Sequence, residues 1–241
     1  MQNSALNVSF AVAASILLPA CDRATDAGTQ STSGAVNLTT PVLYRLDGKS
    51  YDIPLSYHFM DRVSPARWPT PRTERRDVDY ISIMGLLPGF TPFREQDAAA
   101  FNEPGPGKRV DVLIQSASNG HPRPMSDYLA FLRQGGRLRD EGRYHGLKHF
   151  FDTKRSALEA KGADLYVKED EAYFQIYCDR TPEDGLCQTS HIRGDGLYIQ
   201  YSFSRRYLPQ WRSIDQAITH SFDGFEVTSA GSPPRVTASG R

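Results

Sequence analysis

The sequence predicts an α+β fold, a single domain in which an antiparallel β-sheet meander carries one C-terminal amphipathic helix packed on it. Three observations lead there. Apolar residues alternate with polar ones in short runs, so Phe174, Ile176 and Cys178 share one side of a strand, and Leu197, Ile199, Tyr201 and Phe203 share one side of another. Near the end of the chain the period changes, and Trp211, Ile214, Ile218 and Phe222 recur at close to the helical repeat, giving one apolar stripe. Between these runs lie turn-forming clusters such as Asp47-Gly48, Pro104-Gly105-Pro106-Gly107 and Arg193-Gly194-Asp195-Gly196. Twelve Tyr, twelve Phe and sixteen Pro favour strands and ordered loops over long helices.

Charge and composition narrow the function. The 28 Lys and Arg are matched by 28 Asp and Glu, so the chain exerts no long-range pull on polyanions and no nucleic-acid partner is expected. A hydrophobic share of 39% with 23% charged residues suits a packed core. No apolar run approaches the roughly 20 residues of a membrane-spanning helix.

The N-terminus is the most informative segment. Residues 8–20 carry no charge and are rich in Ala, Val, Ile and Leu, a length that suits a signal-peptide core and is too short to span a bilayer. They end in Leu18-Pro19-Ala20-Cys21, which resembles the lipobox of bacterial lipoproteins. Pro19, and the lack of Lys or Arg in residues 1–8, depart from the family pattern. The resemblance implies a signal peptide over residues 1–20, cleavage before Cys21 and acylation of its thiol. The protein would then be lipid-anchored on the periplasmic side of the cell envelope. Asp22, directly after the acylated Cys, resembles an inner-membrane retention signal. Residues 21–39, poor in large apolar side chains and rich in Thr, Ser, Ala and Gly, read as a flexible tether. The folded domain is expected over residues 40–228, and residues 229–241 as a disordered tail.

Within the domain, Asp47-Gly48-Lys49 between residues 42–46 and 50–53 signals a β-hairpin. Residues 60–78, with Pro65, Pro69 and Pro71 among Arg67, Arg72, Arg75 and Arg76, read as a surface loop. Residues 80–87 read as a buried strand ended by Pro88, Gly89 and Pro92, and residues 110–115 as a further strand. Residues 125–133 suit a short helix capped by Ser126 or Asp127 and stopped by Gly135-Gly136. From residue 147 a meander follows: residues 147–151, one helical turn at 156–161, strands at 165–168 and 172–178 around the charged turn Glu169-Asp170-Glu171, and a strand at 196–203. Pro209 suits the first turn of the last helix and Gly224 its stop.

With Cys21 assigned to lipid, Cys178 and Cys187 remain, with eight residues between them, and an oxidising periplasm allows a disulfide between them. Buried free thiols are the alternative. Asp179, Arg180, Glu183 and Asp184 lie in the loop that such a bond would close, and they are the candidate partner-binding residues, or simply solvated ones. No metal site and no cofactor are expected. His145 and His149 have helical metal-pair spacing, but Gly146 between them and Phe150-Phe151 after them indicate a turn into a strand. Residues 105–109 lack the phosphate-loop pattern, and Pro106 removes an amide such a loop needs. Arg193-Gly194-Asp195 is a good turn sequence, and no nucleophile-elbow motif occurs, so no catalytic residue is assigned.

Lipobox, tether, one modest domain, a Cys pair and a late Trp-bearing helix together resemble, distantly, the periplasmic immunity lipoproteins of type VI secretion effectors. That resemblance implies a stoichiometric inhibitor of a secreted protein effector rather than an enzyme. An accessory or scaffold lipoprotein of an envelope machine is the second expectation and an unrecognised periplasmic hydrolase the third. One sequence does not set the oligomeric state. Replacement Cys21→Ser is expected to abolish incorporation of labelled palmitate in a bacterial host. Absence of label from the unaltered protein would refute the anchor.

Overall fold

The computed structural model of the chain describes residues 37–58, 69, 72–105, 107–119, 123–154, 162–180 and 185–228. The expected signal peptide, Cys21 and most of the tether lie outside them, as do the helical turn at 156–161, much of the loop at 60–78 and the C-terminal tail. The described residues belong to one compact unit.

The hairpin forms as expected. Strand β1 (Pro41–Leu46) pairs with β2 (Lys49–Pro54) in an antiparallel register that places Leu46 opposite Lys49. Asp47 and Gly48 turn the chain with φ of 52° and 77°, and two left-handed residues give a turn whose twist matches that of the strands. A two-residue strand, β3 (Arg76–Asp77), adds parallel to β1, inside what the sequence presents as a loop. Its two exposed polar residues carry no periodicity to reveal it.

The remaining strands form one antiparallel sheet of eight. They are β4 (Tyr80–Leu86), β5 (Arg109–Ser116), β6 (Leu138–Tyr144), β7 (Leu147–Asp152), β8 (Ala163–Val167), β9 (Gln175–Asp179), β10 (Leu186–Ile192) and β11 (Leu197–Ser204). Their spatial order is β4-β5-β11-β10-β9-β8-β7-β6. Strands β6 to β11 are thus a six-stranded meander, and the β4–β5 pair docks on β11.

Two strands escape a sequence reading for opposite reasons. β6 is an edge strand whose side chains are nearly all exposed, so its sequence, LRDEGRY, shows no apolar alternation. Its charges, and the register shift between Asp140 and Gly142, are devices that keep an open edge from pairing with other chains. β10 does not alternate cleanly in burial, because Ser190 is buried between Thr189 and His191, and its inward residues are Cys187, Thr189 and His191 rather than aliphatic ones. Strand β4 alternates too, so it is buried on one side only, as suits the other edge of the sheet.

Among the described residues the α-helices are α1 (Ala98–Phe101), α2 (Met125–Gln134) and α3 (Trp211–Asp223). The apolar stripe of α3 is realised in full: Trp211, Ile214, Ile218 and Phe222 are buried in one cluster with Ile199, Tyr201 and Phe203. Pro209 sits one turn earlier than expected, in a 3₁₀ segment (Arg205–Gln210) that leads into the helix. The hairpin β1–β2 packs into the same core, where Tyr51 stacks on Phe222 with ring centroids 4.6 Å apart. On the opposite face of the sheet α2 covers Phe150, Leu165, Val167 and Tyr177 with Met125 and Leu132. α2 starts at Met125, capped by Pro124 with no side-chain bond, so neither Ser126 nor Asp127 is the cap. The Met125 amide instead donates to the carbonyl of Ala172 at 2.6 Å, a tertiary bond invisible to local pattern.

The Arg193-Gly194-Asp195 turn joins β10 to β11 and locks three elements. Arg193 Nε donates to Asp195 at 2.9 Å, Lys49 Nζ from the hairpin donates to the same carboxylate at 2.8 Å, and Arg193 also pairs with Asp223 at the end of α3. The hydrogen bond from Arg193 is the main reason that the Asp195 carboxyl sits well below the usual carboxylate range, against the opposing effect of burial. Replacement Phe222→Ala removes a side chain of 0% exposure that joins α3 to the hairpin. It is expected to destabilise by about 3–5 kcal/mol, read as a lower urea midpoint at unchanged slope.

Candidate functional site

Strands β9 and β10 are neighbours, and their register places Cys178 directly opposite Cys187. The two form a disulfide with Cα atoms 4.0 Å apart, inside the core beneath α3. The bond therefore closes the hairpin at its root. Its loop begins at Asp179 and Arg180 and returns through Gly185 and Leu186. Glu183 and Asp184, the other two candidate partner-binding residues, lie outside the described residues. Closing a loop this short contributes on the order of 2–3 kcal/mol.

Both ends of the loop are fixed by Arg205, which follows β11. Its amide donates to the Gly185 carbonyl and its Nη1 to the Asp179 carbonyl, each at 2.7 Å. The carboxylate of Asp179 faces solvent. Arg180 is not a free contact residue: Nε donates to Asp164 Oδ1 at 2.9 Å, and the guanidinium lies 3.9 Å from the ring centre of Phe151. About a third of its side chain stays exposed.

Asp164 is the hub of this arrangement. It lies on β8 opposite Cys178 and is 1% exposed. His149 Nε2 is 3.0 Å from Oδ1, and Arg205 Nη2 donates to Oδ2 at 2.5 Å. Burial pushes the carboxyl upward, but the bonds from His149, Arg180 and Arg205 outweigh it and hold the group well below its ordinary value. A carboxylate so fully engaged has no proton or lone pair to spare for catalysis; it serves as a fixed anchor. His149 stacks on Tyr166 with centroids 4.5 Å apart, and His145 with Gly146 forms the β6–β7 turn, so the two histidines do not converge. Phe151 is seated against Gly162 (φ +70°), where a Cβ would come within 2.5 Å of the ring.

The sequence held one signal for this hub: a lone Asp amid the apolar run Ala163, Leu165, Tyr166, Val167. Its three partners come from β7, the hairpin and the segment after β11, and only the fold brings them together. Two of the concavities among the described residues lie elsewhere. One of about 340 Å³ beside β4 holds His58, whose Nδ1 is 3.1 Å from the backbone carbonyl of Ser82, a strand contact rather than a nucleophile. The other, about 500 Å³, is a groove between α2 and the β8–β9 turn, floored by Phe150 and Val167. Among the described residues no three His, Cys, Asp or Glu are grouped as a metal site, and no helix is long and apolar enough to cross a membrane.

No protein-family model matches the chain, and no curated protein matches it. Solved structures do. Smlt3025, an immunity protein of the Stenotrophomonas maltophilia type IV secretion system, aligns with a TM-score of 0.55 at 15% identity over 79% of this chain and 94% of its own. The iron-regulated outer membrane lipoprotein FrpD of Neisseria meningitidis aligns with a TM-score of 0.54 at 16% identity over 78% and 93%. The chain shares its fold with an immunity protein and with an envelope lipoprotein.

Two outcomes test the hub and the clamp. Replacing both Cys178 and Cys187 by Ser is expected to lower the melting temperature by about 4–12 °C, and an unchanged melt would show that the bond adds nothing. Asp164→Asn leaves Arg180 and Arg205 without their anion and is expected to destabilise by about 2–4 kcal/mol, tempered by the partial exposure of both arginines. Because the folded pKa of Asp164 is depressed, its contribution is complete above its ordinary value of 3.8 and is lost as pH falls below it. The stability gap between the two proteins should therefore narrow below that pH, and a gap that stays constant would overturn the assignment.

Proposed function

We propose that the chain is a lipid-anchored periplasmic binding protein of the immunity type, which captures and blocks a secreted protein effector. The reading is carried by the hairpin closed at its root by a buried disulfide, rooted on Asp164, and borne on a fold shared with an immunity protein. A loop already fixed at both ends loses less conformational entropy on binding than an open one, so more of its contact energy appears as affinity. Asp179, Glu183 and Asp184 supply its charge. Charge favours fast and selective association more than raw affinity, which suits a blocker that must reach its target first.

Acylation at Cys21 completes the proposal. A tether over residues 21–39 spans roughly 25 Å as a flexible coil, which confines the domain to a thin layer at the membrane and raises its local concentration there. Asp22 favours the inner membrane. The likeness to an outer membrane lipoprotein supports the second reading, an accessory lipoprotein of an envelope machine.

The test is protection. Periplasmic expression of the protein encoded by the adjacent reading frame should arrest a bacterial host, and co-expression of this chain should restore growth. The Cys21→Ser form should protect less well. Charge reversal at Glu183 and Asp184 should weaken binding without lowering the melting temperature. If the two purified proteins form no complex, the immunity reading falls and the accessory reading gains.

A further inference from the structure

The face of the large sheet opposite α3 is only partly covered by the described residues. At one side α2 lies over β7, β8 and β9. At the other, Phe93 and Phe101 of the α1 region pack on Leu86 and Met84 of β4. Between these two walls the outward side chains of β10, β11 and β5, with the first part of β4, form the floor of a trough. Register fixes its rows: Gln188, Ser202 and Asp111 in one, Ser190, Gln200, Leu113 and Ser82 in the next, Ile192, Tyr198, Gln115 and Tyr80 in the third.

The floor is unusual in its charge. Of these outward positions only Asp111 is charged, and Arg109 pairs with it at 3.1 Å. The chain is 23% charged, and the solvent side of an antiparallel sheet is ordinarily its polar, charged side. Here it carries amides, hydroxyls, two tyrosines and a few apolar side chains. Tyr80 is 58% exposed. Depletion of charge with retention of Tyr marks the desolvated centre of protein interfaces, because amides and hydroxyls are far less costly to dehydrate than ions.

We infer that this trough is the surface on which the effector docks, and that its occupant is a single α-helix presenting an uncharged face. This rests on the immunity reading above and adds to it the place and the chemistry of contact. Width supports the helix: four strands are about 14 Å across, close to the 10–12 Å diameter of a helix with its side chains. Charge supports the uncharged face, since the rows that run from Ser190 to Ser82 and from Ile192 to Tyr80 hold no counter-ion, and a charged residue laid on them would be buried unpaired.

The experiment measures binding of the purified adjacent-frame protein to the mature domain by calorimetry, with hydrogen exchange of the complex. Gln200→Arg puts a cation at the centre of the floor and is expected to weaken binding by about tenfold or more, whereas Gln216→Arg on the exposed side of α3 should leave affinity unchanged. Hydrogen exchange should slow across residues 111–115 and 198–202 in the wild-type complex, a readout that stands even if the Gln200 variant folds poorly. Tight binding that survives Gln200→Arg, or protection confined to the hairpin, would overturn the trough while leaving the immunity reading intact. No binding by the wild type would overturn both. A wild-type dimer that Gln200→Arg dissociates would assign the trough to a second copy of this chain, against the proposal.

Discussion

Burial of one sheet face beneath α3 is the constraint on which the rest of the molecule depends. Four apolar side chains at helical spacing meet an inward row of strand residues at alternate positions, and each fully buried member contributes on the order of 1.5–3 kcal/mol. The contact fixes the register of the whole sheet, because a slip of one residue would send every inward side chain to the solvent. It also selects which face is left over. The hairpin β1–β2 closes the remaining flank of the core through Tyr51, and the Arg193 turn ties hairpin, sheet and helix end together with charge-assisted bonds. Hydrophobic burial decides that these elements associate; the directional bonds decide how they are oriented.

A second organising feature, Asp164, works differently. A buried carboxylate is costly unless it is paired and fully hydrogen-bonded, and here two guanidiniums and an imidazole meet that demand. The three donors come from separate parts of the chain, so the ion cluster can form only in the correct topology. Together with the adjacent disulfide it fixes the two ends of the β9–β10 connection, at Arg180 and at Cys187. The same burial logic makes Asp164 unsuitable as an acid or base and suitable as a root.

The proposed role follows from this division of labour. One face is buried beneath α3; the other is covered in part by α2 and by the α1 region among the described residues, and it is the face on which we propose that a partner docks. A protein that acts by occupying another molecule needs such rigid surfaces and needs no reactive centre. The fold is shared with an immunity protein at 15% identity, and a scaffold can be kept while its side chains diverge.

What the sequence determined by itself was whatever depends on period and local turn chemistry. The β1–β2 hairpin was legible because Asp47-Gly48 separates two β-prone runs, α3 because four apolar residues repeat at its pitch, and β11 because its inward residues are all apolar. The pairing of Cys178 with Cys187 was open in the sequence, where free thiols stood beside it, and was settled when β9 and β10 fell into register. Tertiary structure alone decided the rest. β6 is a strand because β7 offers it an edge, although its own side chains lie in water. β10 is a strand because its neighbours accept Thr and His on the inner face. Arg180 pairs with Asp164, while about a third of its side chain stays exposed, because β8 brings a buried carboxylate beneath it. Period and turn propensity act over a few residues and so are written in the order of the chain; edges, ion clusters and exposed faces are set by segments far apart in sequence, and only the folded arrangement brings these together.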